Sequence, residues 1–272
     1  MLRNEILKTV YTCFPEGKFK VLTMSYDDGN QSDRRLIEIF NKFGIKGSFH
    51  LNAGLADRYN AKIPLSEVKQ LYSKHEVSGH TYTHPTIARC PLPLVIEQIL
   101  KDRSELEKAC GYAVRGLSYP NRSVSPDIVD LLPHCGIEYA RTGNSTGGFS
   151  MPDNFLLWNP TCHHNQNLLA LGKEFIELHK SQYLFMMYVW GHSYEFDNDN
   201  NWELIEKFCE MVSGQDNIWY ATNIEIVDYM NAAKNLKYTV AMDRVYNPSA
   251  IAVWISVDGQ IYKINPGETI DI

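Results

Sequence analysis

Two adjacent acidic residues follow an apolar run near the N-terminus. In the segment Ser25-Tyr26-Asp27-Asp28-Gly29 the two carboxylates come directly after that run, and the glycine lets the chain turn. Neighbouring side chains of an extended strand point in different directions, so one carboxylate can bind a cation while the other acts as a base towards a substrate. The same triplet also forms ordinary exposed turns, so it carries little weight alone.

Two histidines four residues apart form a second candidate group. His80 and His84 lie between Gly79 and Pro85. Residues at this spacing share one face of a helical turn, and they can also converge in a compact loop, so two neutral imidazoles can reach one divalent ion. A single histidine is usually only a hydrogen-bonded side chain, whereas a spaced pair at a strand end is a reasonable ligand set.

Three further histidines are candidates on weaker grounds. His192 ends the apolar run 184–191 and is a candidate general acid, with packing at the rim of the fold as the alternative. His163 and His164 follow Trp158 by a few residues, and either line a substrate cleft or lie on a solvated loop.

The elements that must position these residues alternate between strands and helices. Short apolar or β-branched runs predict strands at 21–26, 47–51, 76–79, 116–119, 138–140, 155–158, 183–190 and 218–221. Apolar stripes predict helices, for example at 34–43 and 93–109. Seven or eight such βα units fit a closed or partly closed parallel barrel, whose active site lies where the strands end. The polar residues named above gather at those ends.

The pattern changes after residue 238. Alternating apolar residues on both sides of Asp258-Gly259 predict a β-hairpin. We therefore expect a barrel domain at 1–238 and a small β appendage at 239–272. Trp254 and Tyr262 offer a glycan-binding surface there, although aromatic pairs in hairpins more often pack.

Composition narrows the class of protein. The 272 residues are 44% apolar with a net charge of -6, which suits a globular enzyme and argues against nucleic-acid binding, because phosphates need a basic face. The N-terminal segment lacks the pattern of a signal peptide and no run of 18 apolar residues occurs, so we expect a cytoplasmic protein without a membrane partner. The six cysteines form no C-x-x-C pair, so neither a disulfide framework nor a cysteine zinc site is expected.

Three motifs occur in this order: the Asp27-Asp28 pair, the His80 and His84 pair, and His192 after an apolar run. Together they resemble the polysaccharide deacetylase family (NodB homology domain, carbohydrate esterase family 4) across residues 20–230. In that family one motif ends in two aspartates, the next reads H-[ST]-x-x-H, and the last carries a histidine after an apolar strand. The resemblance implies an α/β fold, a distorted (β/α)7–8 barrel.

The resemblance also implies roles for the motif residues. Asp28, His80 and His84 are expected to bind the metal, Asp27 to be the catalytic base and His192 the acid. Zinc is the expected ion, and Co2+, Ni2+ or Fe2+ suit the same ligands. Further expected contacts with the substrate or its oxyanion come from Tyr119, Asn121, Arg141, Trp158 and His164.

Two departures from the family pattern leave questions open. Ser118 stands where the family has an arginine that orients the base, and Arg115, Arg122 and Arg141 are the candidates to supply that charge. Trp158 matches the fourth motif, but no aspartate accompanies it, so the partner of His192 is unassigned.

The expected function is removal of an acetyl group, N-linked or O-linked, from a sugar or oligosaccharide. One alternative keeps the fold and metal but acts on a small non-sugar amide or cyclic imide. A second alternative, motivated by the missing arginine, is a non-catalytic relative that binds metal or carbohydrate.

Overall fold

The computed structural model describes residues 7–272, and its centre is a curled sheet of parallel strands. The first six residues, on which part of the export-signal prediction rests, lie outside the described residues. The strands are β1 Val10–Cys13, β2 Lys20–Asp27, β3 Gly47–Leu51, β4 Glu76–Gly79, β5 Gly116–Ser118, β6 Tyr139–Arg141, β7 Cys162–His163, β8 Phe185–Gly191, β9 Ile218–Tyr220, β10 Lys237–Tyr238, β11 Arg244–Tyr246, β12 Val253–Val257, β13 Gln260–Ile264 and β14 Thr269–Asp271.

The parallel sheet has the order β6-β5-β4-β3-β2-β8-β7, and β9 also pairs with β2. Helices pack around it, and their bounds are α1 Asp33–Phe43, α2 Ala53–Ala56, α3 Leu65–Leu71, α4 Leu92–Cys110, α5 Pro126–Leu131, α6 Leu168–Glu177, α7 Tyr194–Asn198, α8 Trp202–Val212 and α9 Asn223–Lys234. The predicted distorted α/β barrel is confirmed, and it has the form of a half-barrel.

The amphipathic stripes give the helices their buried faces. In α1, Leu36, Ile37 and Phe40 are buried against the sheet, and Gly44 ends the helix with a left-handed φ of 67°. A glycine takes that conformation without the steric cost that a Cβ brings. The predicted helices at 34–43 and 93–109 therefore correspond closely to α1 and α4.

One predicted strand was wrong. Phe155–Leu157 form a 3₁₀ turn, in which the Asn154 side chain accepts the Leu156 N–H at 2.8 Å. This local hydrogen bond competes with strand pairing, which an apolar pattern does not reveal. The strand that joins the sheet next to β8 is instead the short β7.

The C-terminal hairpin is confirmed by the antiparallel pairing of β12 with β13 around Asp258 and Gly259. On its other side β12 pairs with β1, so both ends of the described chain share one small sheet. This sheet packs on the barrel through α9, where the Tyr229 hydroxyl donates to the Cys13 carbonyl and accepts the Trp254 N–H. The division between residues 238 and 239 stays a prediction.

None of the helices within residues 7–272 is both long and apolar enough to cross a membrane.

A buried histidine at the amino end of β4, away from the cleft, predicts that the fold is sensitive to acid. Burial, and then Lys74 and Lys46, lower the pKa of His75 to about 4, and its Nδ1 accepts the Gly47 N–H at 3.1 Å. Because the unfolded chain binds this proton near pH 6.5, the neutral ring stabilises the fold above that pH, and this contribution is lost as the pH falls towards 4. We expect about 2 kcal/mol of it to be lost between pH 7.5 and 5.

The test is urea unfolding of the native chain and of His75→Asn at both pH values. Asparagine keeps an acceptor for Gly47 but does not titrate, so its free energy of unfolding should fall by about 2 kcal/mol less than that of the native chain. Equal losses in the two proteins would show that His75 is not the group responsible.

Candidate active site

A cleft of about 500 Å³ opens at the carboxyl ends of the parallel strands. It is lined by Asp27, Asp28, His80, His84, Tyr119, Asn121, Arg122, Arg141, Gly143, His163, Trp190, His192, Tyr194 and Glu195. A larger cavity of about 640 Å³, lined in part by Lys46, His75 and Glu225, contains none of the motif residues. The smaller cleft is therefore the candidate active site, because it contains the motif residues.

Asp27 is the buried carboxylate at the end of β2. Its Oδ2 accepts from the Arg141 guanidinium, and its Oδ1 accepts from the Ser118 hydroxyl at 3.0 Å. Burial alone would raise the pKa of Asp27, but Arg141, followed by His80 and His50, holds it well below its usual range. Asp27 is therefore an ionised carboxylate at neutral pH.

Asp28, His80 and His84 come together beside this carboxylate, and the His80 Nε2 lies 3.8 Å from the Asp27 Oδ2. One ligand atom from each lies within 4.8 Å of the others, and the Asp28 Oδ1 is 4.0 Å from the His84 Nε2. Asp28 and His84 have left-handed φ values of 82° and 59°, and so does Thr81, at 66°, in the loop between the histidines. Such conformations are costly for residues with a Cβ and cluster at functional sites.

Hydrogen bonds from His80 to Ser118 and Asp102 fix its orientation. Its Nδ1 lies 2.8 Å from the Ser118 carbonyl oxygen and 2.6 Å from the Ser118 hydroxyl, while Asp102 of α4 accepts its backbone N–H at 3.0 Å. A proton on Nδ1, donated to the carbonyl, leaves a lone pair on Nε2. Burial lowers the pKa of His80 to about 4, so the ring is neutral, as a metal ligand must be.

Of the three candidate arginines, Arg141 is the one whose guanidinium donates to Asp27. Ser118 on β5 and Arg141 on β6 are partners in register, so the guanidinium reaches Asp27 from one strand further along the sheet. Its Nε also donates to the Ser25 hydroxyl at 3.2 Å, and Nη1 donates to the Thr142 carbonyl at 3.0 Å. Arg115 instead pairs with Asp228.

Glu195 is the carboxylate beside His192. Its Oε1 lies 3.3 Å from the His192 Nδ1, and its Oε2 accepts the His192 backbone N–H at 3.0 Å. Burial by itself lowers the pKa of His192, but Glu195 and then Asp27 raise it above its ordinary value. Glu195 therefore favours the protonated ring that a general acid requires.

We expect Glu195→Gln to lower kcat for any acid-assisted reaction by about 10-fold, with little change in KM. Partners that orient a functional histidine have effects of about 10- to 100-fold. Steady-state kinetics on this variant, beside Glu203→Gln on the exposed face of α8, is the measurement. An unchanged kcat in Glu195→Gln would contradict the role of this carboxylate.

The remaining predicted contacts divide into two groups. Tyr119 and Asn121 line the cleft, and the Tyr119 hydroxyl donates to the Leu156 carbonyl at 2.7 Å. Trp158 and His164 do not line it. Trp158 is fully buried between Tyr139, Phe155 and Tyr188, and so is a core residue that no substrate reaches. His164 is also buried, and it contacts His163 and Glu195, which line the cleft.

Three residues beside the reacting groups were not predicted as partners. His50 is paired in register with Asp27 and lies 3.6 Å from its Oδ1, Ser118 contacts both Asp27 and His80, and Glu195 contacts His192. A polar residue at the end of a neighbouring strand was the available signal for His50 and Ser118, and the i, i+3 spacing was the signal for Glu195.

Comparison with known proteins tests the resemblance. The model of the polysaccharide deacetylase family matches residues 15–140. The resemblance to the polysaccharide deacetylase family is confirmed. The matched part of this deacetylase-like chain contains the two aspartates, the paired histidines and Ser118, whereas His192 lies beyond it.

Solved structures confirm the fold of this deacetylase-like chain. A putative polysaccharide deacetylase from Mycobacterium smegmatis is 16% identical, with a TM-score of 0.62 over 81% of this chain and 93% of that one. A CE4 family pseudoenzyme from Bacillus anthracis is 19% identical, with a TM-score of 0.51 over 80% of this chain and 68% of that one. A mutant described as a CE4 family pseudoenzyme with restored enzymatic activity also matches, at a TM-score of 0.51. Because pseudoenzymes share the fold, the fold alone does not establish activity.

A curated relative is an uncharacterized protein, YlxY, from Bacillus subtilis. It is 21% identical over 122 residues, which are 45% of this chain. The matched region spans 37% of the length of that relative.

Proposed function

We propose that this protein is a metal-dependent hydrolase that removes an acetyl group, N-linked in the first instance, from a sugar or oligosaccharide. The observation that carries the proposal is the pairing of the ionised, arginine-bound Asp27 with a His2Asp set in one cleft. A base held beside an open metal site can activate water for attack on the carbonyl carbon of an amide or ester.

The residues present fit a divalent metal at Asp28, His80 and His84. The donors are one carboxylate and two imidazoles, and His80 offers the lone pair of Nε2 because Nδ1 is hydrogen-bonded to Ser118. Three protein ligands leave coordination positions open, which is typical of catalytic rather than structural zinc. A cation bound there would polarise the acyl carbonyl and lower the pKa of water.

The side chains of the chain itself supply the proton transfers. Asp27 accepts a proton from the attacking water, and Arg141 and Ser118 hold its carboxylate in place. Protonated His192 then donates to the departing amine nitrogen, or to the sugar oxygen in an ester. The backbone N–H of Asn121 is the proposed donor to the oxyanion.

An aromatic residue at the cleft favours a sugar as the substrate. Tyr194 lines the cleft and is partly exposed, whereas Trp190 is only 6% exposed and the Arg141 guanidinium lies over its ring at 4.4 Å from the centroid. Aromatic faces suit the apolar faces of pyranose rings. The contact with Arg141 also fixes the plane of Trp190 at the cleft wall.

The non-catalytic alternative loses its main support. It rested on the missing family arginine, and Arg141 provides a guanidinium to Asp27 from the adjacent strand. The alternative in which the substrate is a small amide or cyclic imide uses the same metal ligands, base and acid, and differs only in the substrate.

The test is acetate release from chitin oligosaccharides and O-acetylated sugars, with ring opening of cyclic imides and hydrolysis of small acetamides measured in parallel. The protein is stripped with a chelator and reloaded with Zn2+ or Co2+. We expect acetate from the N-acetylated oligosaccharides only in the reloaded protein. Turnover restricted to imides or small amides would replace the sugar substrate, and no turnover on any of them would contradict the enzyme assignment.

A further inference from the structure

A second group of metal-binding side chains lies on the wall of the same cleft. His163, His164 and Glu195 each offer a ligand atom, and these atoms lie within 4.8 Å of one another. The His163 Nε2 is 3.1 Å and the His164 Nε2 is 3.3 Å from the Glu195 Oε2. Ligands about 2.0–2.1 Å from a tetrahedral ion are about 3.3 Å apart, so these separations suit a shared cation.

Within residues 7–272 neither ring nitrogen of His164 has a hydrogen-bond partner, although its side chain is 0% exposed. Its Nε2 approaches Glu195 closely, but outside hydrogen-bond geometry. Buried polar atoms are nearly always paired, and leaving one unpaired costs about 1–3 kcal/mol. A cation placed between the ring and the carboxylate would satisfy this nitrogen.

The ring of His164 is held rigidly in this position. It stacks on Phe196 at 4.2 Å between centroids and on Tyr26 at 5.8 Å. Gly191 passes so close that a Cβ there would lie 2.0 Å from the His164 Nδ1.

We propose that His163, His164 and Glu195 form a second divalent-cation site, separate from the one at Asp28, His80 and His84. Two imidazoles and a carboxylate select a borderline ion such as Zn2+ or Co2+ over Mg2+ or Ca2+. The site opens to the cleft through His163 and Glu195, both of which line it.

The second site is the weaker of the two. The His163 Nδ1 accepts the backbone N–H of exposed Asn165 at 3.2 Å. Binding through Nε2 requires a proton on Nδ1, so this contact has to open when the cation enters. Glu195 continues to face His192 through its other oxygen, Oε1.

The test is equilibrium dialysis against micromolar free Zn2+, followed by metal analysis. The native chain should bind two ions, and His163→Gln should bind one. In an Asp28→Asn/His84→Gln background one ion should remain, and adding His163→Gln should remove it. His134→Gln, at an exposed position, is the matched control and should change nothing.

Circular dichroism and thermal unfolding of each variant confirm that it is folded, and Glu195→Gln repeats the test at a second ligand. A native metal content that neither His163→Gln nor Glu195→Gln lowers would overturn the proposal. Acetate release plays no part in this readout, so the second site and the proposed deacetylation succeed or fail separately.

Discussion

Replacing Asp27 by asparagine should lower kcat for acetate release by about 10²- to 10⁴-fold, the range that a positioned general base contributes. The asparagine side chain has nearly the same shape but cannot take a proton from water. Asp27 is not one of the proposed metal ligands, so the zinc content should stay close to that of the native chain. Steady-state kinetics and metal analysis of the same sample measure both quantities.

Two controls distinguish a loss of the base from a loss of folding. The Asp27→Asn substitution leaves the Arg141 charge without its partner, so activity must be measured well below the Tm of the variant. Asp28→Asn serves as the contrasting variant, because it should lose metal and activity together. Near-native kcat in Asp27→Asn would mean that another group acts as the base.

Replacing Arg141 by methionine should destabilise the fold by about 3–5 kcal/mol. Arg141 and Asp27 are both almost fully buried, with side chains 2% and 3% exposed, and removing one charge leaves the other uncompensated. The kcat should also fall, because the base is no longer held by the guanidinium. Urea unfolding and kinetics on the purified variant measure the two effects.

Arg115→Met is the matched control for this experiment. Arg115 makes a bidentate contact with Asp228, but both side chains are partly exposed, so its loss should cost about 1 kcal/mol or less. In the double variant Asp27→Asn/Arg141→Met no charge is left unpaired, and its destabilisation should be smaller than the sum of the two single effects. Strict additivity would show that the two side chains do not interact.

The sequence was sufficient for most of the fold because its patterns are local. The apolar run before Asp27 and the stripe in α1 predicted β2 and α1 closely, and Asp258-Gly259 located the hairpin. The prediction failed at Phe155–Leu157, where a side-chain hydrogen bond from Asn154 decides a local turn. Strand pairing across distant residues, such as β1 with β12, has no local signal at all.

The site was predictable to the extent that its residues are adjacent in sequence. Asp27 with Asp28, and His80 with His84, are short-range pairs that converge as expected. The contact between Arg141 and Asp27 depends on the register between β5 and β6, so the sequence left three candidate arginines. Trp158 was expected to contact substrate, but its burial depends on three aromatic neighbours from separate segments.

Metal content and turnover, measured on one preparation of the native chain beside Asp28→Ala and His84→Ala, test the central claim most directly. The account predicts that the native chain binds zinc, that each variant loses one ion per chain, and that acetate is released only by the metal-loaded native protein. Equal metal content in all three proteins, or acetate release that survives both substitutions, would contradict it.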